Sequence, residues 1–474
     1  MTKFALPLLF TGLLIISTRT DAKISLPSFF SDNMVLQQKT EAAIWGWAKP
    51  NSSVQLISSW NKKKYTVQSD ASGKWKLKIA TPEAGGPYEM TISDGEAITL
   101  HNILIGEVWF CSGQSNMEMP MKGFKDQPIK GSNDAIFNST NDQIRIYNVP
   151  RAVEKFLKDT TKNSPWRSAS PETVSNFSAT AYFFGRILQQ QLKVPVALIT
   201  DDYGGSPAEA FMSIEALKTF PEIKIHSATD TFKLTNRNAT VLYNGMIHGI
   251  VGYTIKGCLW YQGEANQDRP DQYEKLFPAM VAQWRSEWGQ GNFPFYFAQI
   301  APFDYSQFSP NRTEKLNSAY LRDAQRKAVN TIPNSGIVVL MDNGEVGIHP
   351  SDKETVGKRF AYLALGDTYQ QKGFAYQSPS YDSLLINGNI TTIKFKNVPN
   401  GLTSWGRPLT QFEIAGADKI FRPATATIRN GTIVLSSPLI TAPVAVRYAF
   451  KDFLAGELYS TEGYPVSSFR TDDW

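Results

Sequence analysis

The sequence predicts a three-layer α/β domain built on a parallel sheet, flanked by a β-sandwich-like domain on either side. Three observations lead there. Short alternating runs fill residues 23–102, long apolar runs separated by amphipathic stretches fill 103–375, and alternation returns over 376–474. With 474 residues, 42% of them hydrophobic and 12% aromatic, the chain can bury cores of that size.

In the first region KWKLKI places Trp75, Leu77 and Ile79 opposite Lys74, Lys76 and Lys78, so one face is buried and the other wet. Asp70 to Gly73 supplies the preceding turn. In the middle region ILIGEVWFC, PVALIT, IKGCLWY, PFYFAQI and GIVVLMD read as buried parallel strands. After Pro270, Tyr273, Leu276, Phe277, Met280, Val281, Trp284 and Trp288 recur at helical spacing, with Pro278 an expected kink. Ligands of such sheets sit beyond the carboxyl ends of the strands, which is where chemistry is to be sought. In the last region Val444, Val446, Tyr448 and Phe450 share a face, and Asn430-Gly431 marks a hairpin.

Lys and Arg number 48 against 43 Asp and Glu, a net charge of +5 spread along the chain, which argues against nucleic acid as a partner. Residues 1–22 place Lys3 before an apolar run from Phe4 to Ile16 and end on Ala22, the form of a secretory signal peptide. The run is shorter than the ~20 apolar residues that span a bilayer. The expectation is therefore an exported protein, periplasmic or extracellular, with no membrane span in the mature chain. Cys111 and Cys258 are too few for a disulfide framework or a cysteine metal site. Their strands are candidate neighbours, but buried free thiols suit adjacent-strand geometry better than a bridge.

Residues 106–119 read GEVWFCSGQSNMEM, an apolar strand ending in a small-residue turn that carries Ser115. A serine nucleophile needs a base beside it. The turn is not the GxSxG elbow, because Met117 stands where the second glycine would be. On residue type alone a serine at a strand end is more often structural. Of His101, His226, His248 and His349, no two lie at metal-ligand spacing, so no metal is expected. His349 follows a buried strand and precedes a helix for which Ser351 and Glu354 read as a capping box.

GQSNM after a hydrophobic strand resembles the first block of the SGNH hydrolases, and specifically the sialate O-acetylesterase family. DYGGSPAEAF (202–211), WYQGEAN (260–266) and IHP (348–350) resemble the later blocks in the same order, and LYNGMI and LRDAQ also look like family stretches. The resemblance covers nearly the whole chain after residue 22. It implies an SGNH-type catalytic domain that removes O-acetyl groups from carbohydrate through an acetyl-serine intermediate, with Ser115 as nucleophile, His349 as base and no cofactor. The oxyanion donors would be the N–H of Ser115, the N–H of Gly205 and the side-chain amide of Gln262, each donor typically contributing ~3 kcal/mol. The partner would be an acetylated oligosaccharide or polysaccharide, of the sialate or the xylan type.

The acid is less well marked. Many SGNH hydrolases carry Asp three residues before the histidine, and here that residue is Val346. Glu264, beside Gln262, is the first choice of orienting carboxylate and Asp342, at the end of GIVVLMD, the second. Trp260, Tyr261 and Met117 to Met119 read either as an acyl pocket or as core. A sialate carboxylate would call for an arginine near Ser115, and the sequence places none. The rival readings are a non-catalytic carbohydrate-binding protein, which leaves GQSNM, QGE and IHP unexplained, and a lipase or thioesterase on the same fold, which needs an extended apolar groove.

Overall fold

The computed structural model describes residues 23–227, 229–308 and 317–474, so the expected signal peptide lies outside the described residues. A mostly parallel sheet forms the centre. It runs Ser335–Val338, Phe295–Ala298, Gly257–Tyr261, Ala97–Gly113, Val196–Asp202 and Asn141–Asn148, with Arg167–Ala169 antiparallel on the far edge. Asn141–Asn148 and Val196–Asp202 lie on one side of Ala97–Gly113, and Gly257–Tyr261 and the later strands on the other, so the chain changes sides at Ala97–Gly113 and the crevice opens at that strand's carboxyl end.

Helices cover both faces. Ala179–Leu192 packs with Lys353–Leu363 on one side, and Pro270–Trp288 with Ala319–Thr331 on the other. Tyr273, Leu276, Phe277, Met280, Val281, Trp284 and Trp288 are all buried, and the helix continues through Pro278. The two cores explain the cysteines. Cys111 pairs in register with Leu259 and Cys258 with Phe110, so the thiols belong to opposite faces of adjacent strands and both are free.

The strand Ala97–Gly113 is 17 residues long. Its first half pairs with Gly85–Ser93 and Val35–Gln37, and its second half enters the central sheet. One strand therefore passes without a break through the boundary expected between residues 102 and 103. In Lys74–Thr81, Trp75 and Ile79 are buried and the three lysines exposed, as period-two alternation requires.

Two four-stranded antiparallel sheets occupy the last hundred residues or so of the chain. Asn430 (φ 51°) and Gly431 (φ 73°) join Thr425–Arg429 to Thr432–Ser436 in a two-residue hairpin that needs positive φ at both positions. Val446, Tyr448 and Phe450 are buried, but Val444 is 46% exposed because it precedes the strand Ala445–Tyr448. Arg322, fully buried on its helix, donates to Ser468 Oγ at 3.1 Å and to the carbonyls of Lys451 and Asp452, fastening this region to the central domain. Among the described residues no helix is long and apolar enough to cross a membrane.

Candidate active site

Gly113 is the register partner of both Tyr261 and Asp202, so the residues that follow these three strand ends emerge side by side. Its φ is 145°, and a Cβ there would lie 2.1 Å from the carbonyl oxygen of Tyr261, so only glycine brings the strand this close. Gln114 then accepts from the N–H groups of Gly263 and Ala265 at 3.4 and 3.2 Å, which ties the serine turn to the QGE loop. Ser115 opens the one-turn helix Ser115–Glu118.

His349 Nε2 lies 2.8 Å from Ser115 Oγ, and Nδ1 lies 2.5 Å from the amide oxygen of Gln127. Phe124 meets the imidazole edge-on at 5.3 Å. Donation from Nδ1 to an amide oxygen leaves Nε2 as a bare acceptor for the serine hydroxyl, the tautomer a general base needs. Burial first, and the positive charge of Lys353 second, push the imidazole down to about 4, so it is neutral at ordinary pH.

The expected capping box does not form. Ser351 donates through N and Oγ to Glu345 at 3.0 and 2.7 Å, and Glu354 pairs with Arg186 and Lys358. The helix begins at Lys353, so the cap falls to Asp352, which takes the N–H of Thr355 at 2.9 Å.

Neither expected carboxylate touches the imidazole. Asp342 is held by Arg359 in a two-pronged bond of 2.8 and 2.6 Å, and Glu264 accepts from Asn116 Nδ2 at 2.5 Å. The histidine loop turns Nδ1 toward the Phe124–Gln127 turn instead, so Gln127 occupies the place expected of an acid.

Gly205 has φ 72° and open space around its missing side chain, while a Cβ on Gly204 would come within 3.3 Å of Ser115 Cβ. The Gly204 N–H is taken by Glu118 at 2.5 Å, whereas the N–H groups of Ser115 and Gly205 have no protein acceptor among the described residues. Gln262 is buried and its amide donates to Asn266 Oδ1 at 2.6 Å and to the Ser206 carbonyl at 3.2 Å. Glu118 also binds Arg151, whose guanidinium lies over the Tyr203 ring at 5.0 Å. Burial, together with the nearby Glu118 carboxylate, raises Asp202 to about 8.

The profile of the carbohydrate esterase family described as sialic acid-specific acetylesterase matches residues 105–365, more than half of the chain and all of the elements just described. The chain belongs to this family. It is 30% identical over 382 residues to the sialate O-acetylesterases of Pongo abelii and Homo sapiens, covering 74% of this chain and 72% of each relative. The crystal structure of a carbohydrate acetylesterase from Xanthomonas citri superposes with a TM-score of 0.85 at 32% identity, over 95% of this chain and all of the other. As a member of the acetylesterase family the protein is an ester hydrolase.

Within this acetylesterase the remaining residues sort by burial. Trp260, Tyr261, Met117 and Met119 are all fully buried and belong to the core rather than to an acyl pocket. Asn116 and Lys353 are likewise buried, with Lys353 Nζ donating to Asn116 Oδ1 at 2.5 Å. Sequence reasoning missed Gln127, Asn116, Lys353 and the Glu118–Arg151 pair. Asn116 and Glu118 stood inside the serine block, but nothing in GFKDQPIK distinguishes Gln127 from an ordinary loop amide.

Proposed function

We propose that this esterase is exported and removes O-acetyl groups from a carbohydrate through an acetyl-serine intermediate. The single observation that carries the reading is the imidazole bridging Ser115 Oγ and Gln127 at 2.8 and 2.5 Å. Ser115 Oγ attacks the acetyl carbonyl carbon and passes its proton to His349 Nε2. The ester C–O bond then breaks, and the sugar oxygen takes that proton as it leaves. Water attacks the acetyl-enzyme, gives a proton to His349, and the collapse returns a proton to Ser115 and frees acetate. Gln127 orients the ring in the place of an acid.

The N–H groups of Ser115 and Gly205 would receive the oxyanion, since neither has a protein acceptor among the described residues. Gln262 is the third proposed donor, and it would have to turn its amide away from Ser206 and Asn266 to serve. No cofactor enters the scheme. Turnover of an acetylated xylo-oligosaccharide and of an acetylated sialic acid, measured side by side with an aryl acetate as control, tests the reading. Cleavage of the aryl ester without release of acetate from either sugar would overturn the carbohydrate assignment.

A further inference from the structure

Asn116, next to the nucleophile, is a buried junction of three elements. Its amide nitrogen donates to Glu264 at 2.5 Å and to the carbonyl of Ile348, the neighbour of His349, at 3.2 Å. Its oxygen accepts from the Lys353 ammonium at 2.5 Å. Asn116, Glu264 and Lys353 are 1%, 8% and 0% exposed, and Lys353 Nζ also lies 5.5 Å from the centre of the Tyr261 ring. One residue therefore bonds the serine turn at once to the QGE loop, to the histidine loop and to the first residue of the helix Lys353–Leu363.

A buried ammonium and a buried carboxylate each cost several kcal/mol to desolvate, and two well-packed apolar side chains would stabilise the fold at least as well. The arrangement calls for a reason beyond stability. We propose that Lys353, Asn116 and Glu264 form a positioning bridge for the esterase reaction, setting the approach of Ser115 to His349 and placing a cation beside the imidazole. The proposal rests on the Ser115–His349 chemistry above. The groups facing His349 are Ser115, Gln127, the Phe124 ring and the Lys353 charge. Those facing Lys353 are Asn116 and the carboxylates of Glu264, Glu345 and Asp352. Burial pushes Lys353 down to about 7 against the pull of those carboxylates, so below that pH it carries its charge and opposes protonation of the base. The consequence is an imidazole that stays a proton acceptor into acid.

The test is the pH profile of kcat/KM for an aryl acetate with the wild type, Lys353→Met, Glu264→Gln and the double variant. Lys353→Met is expected to lower kcat about 10²-fold, the scale of a displaced reacting group, with KM little changed. Its acid limb should move to higher pH, because the cation no longer opposes the imidazolium. The double variant should lose less than the product of the single losses, since the two charges compensate each other. Lys353→Met with wild-type kcat and an unmoved limb would overturn the proposal, and so would losses that multiply. Near-uv circular dichroism and a melting curve check the fold. If Lys353→Met does not fold, the isosteric Asn116→Asp keeps the contact to Lys353 but sets a second carboxylate against Glu264, and an undiminished kcat in it would overturn the proposal equally. Wild-type turnover in Ser115→Ala would remove the underlying chemistry instead, which is a separate result.

Discussion

His349 donates its Nδ1–H to the amide oxygen of Gln127 at 2.5 Å, where a serine hydrolase triad holds a carboxylate. The amide fixes the tautomer but brings no charge, so the imidazolium formed during attack is stabilised only by what else surrounds it. Gln127→Glu should therefore raise the imidazole's affinity for a proton and move the acid limb of kcat/KM to higher pH. Gln127→Ala frees the ring and should lower kcat by roughly 10- to 10³-fold, less than the ~10⁴ lost when a triad carboxylate becomes an amide of the wrong tautomer. Wild-type kcat in Gln127→Ala would mean that the ring is held by something else.

The wild-type profile is itself a prediction. The base works unprotonated, and its folded-state value is lowered from 6.5 to about 4, so kcat/KM should stay near its plateau down to about pH 5 and fall only near pH 4. A histidine at its ordinary value would by then be almost wholly protonated. An acid limb close to 6.5, measured where chemistry limits the rate, would contradict the burial that sets the lower value.

Ser115→Ala removes one half-buried hydroxyl whose side-chain partner is His349, so it should abolish aryl-acetate hydrolysis and leave the melting temperature nearly unchanged. Residual turnover above the uncatalysed rate would come from the oxyanion donors alone. Turnover at the wild-type level would remove Ser115 from the reaction.

Asp342→Asn separates a structural carboxylate from an orienting one. Asp342 is bonded twice to Arg359, which is itself 8% exposed and also holds the Val339 carbonyl at 2.9 Å. The amide keeps one acceptor oxygen but loses the charge, so a stability loss of about 1–3 kcal/mol is expected with kcat within a few-fold of wild type. A collapse of kcat without loss of stability would return the acid to Asp342.

The central sheet and its helices were legible because they rest on local patterns, and Ser115 and His349 became candidates because their blocks resemble those of a known family. Apolar strand runs, the 3.6-residue spacing after Pro270 and the Asn430-Gly431 turn each record a backbone geometry in residue type, and GQSNM and IHP stand at the ends of elements that the patterns locate. The partner of Nδ1 was not legible, because a loop glutamine carries no signature and the contact joins residues 222 positions apart. Glu264 was placed at the right strand end and given the wrong neighbour. The sequence could say that its carboxylate sits at the active face, but not that Asn116 would intercept it. Trp260 and Tyr261 stayed open between acyl pocket and core for a related reason: in a buried parallel strand side chains on both faces are core, and adjacency in sequence to a site residue says nothing of exposure.

Arg151 offers the last test, because a cation near the nucleophile is what a sialate carboxylate would seek. The guanidinium is not free. It binds Glu118, which in turn takes the N–H of Gly204 at 2.5 Å, and it lies over Tyr203 at 5.0 Å. Its charge also offsets that of the half-buried Asp202, which Glu118 pushes the other way. Arg151 thus steadies the glycine turn from which Gly205 would meet the oxyanion, and that role does not depend on the sugar. Arg151→Gln should therefore lower kcat about tenfold for acetylated sialic acid and for acetylated xylo-oligosaccharide alike, with similar KM values, as for a displaced donor. If the variant instead raises KM for the sialic acid ester alone, the guanidinium leaves Glu118 to bind the substrate carboxylate, and Arg151 is the residue that selects the sugar.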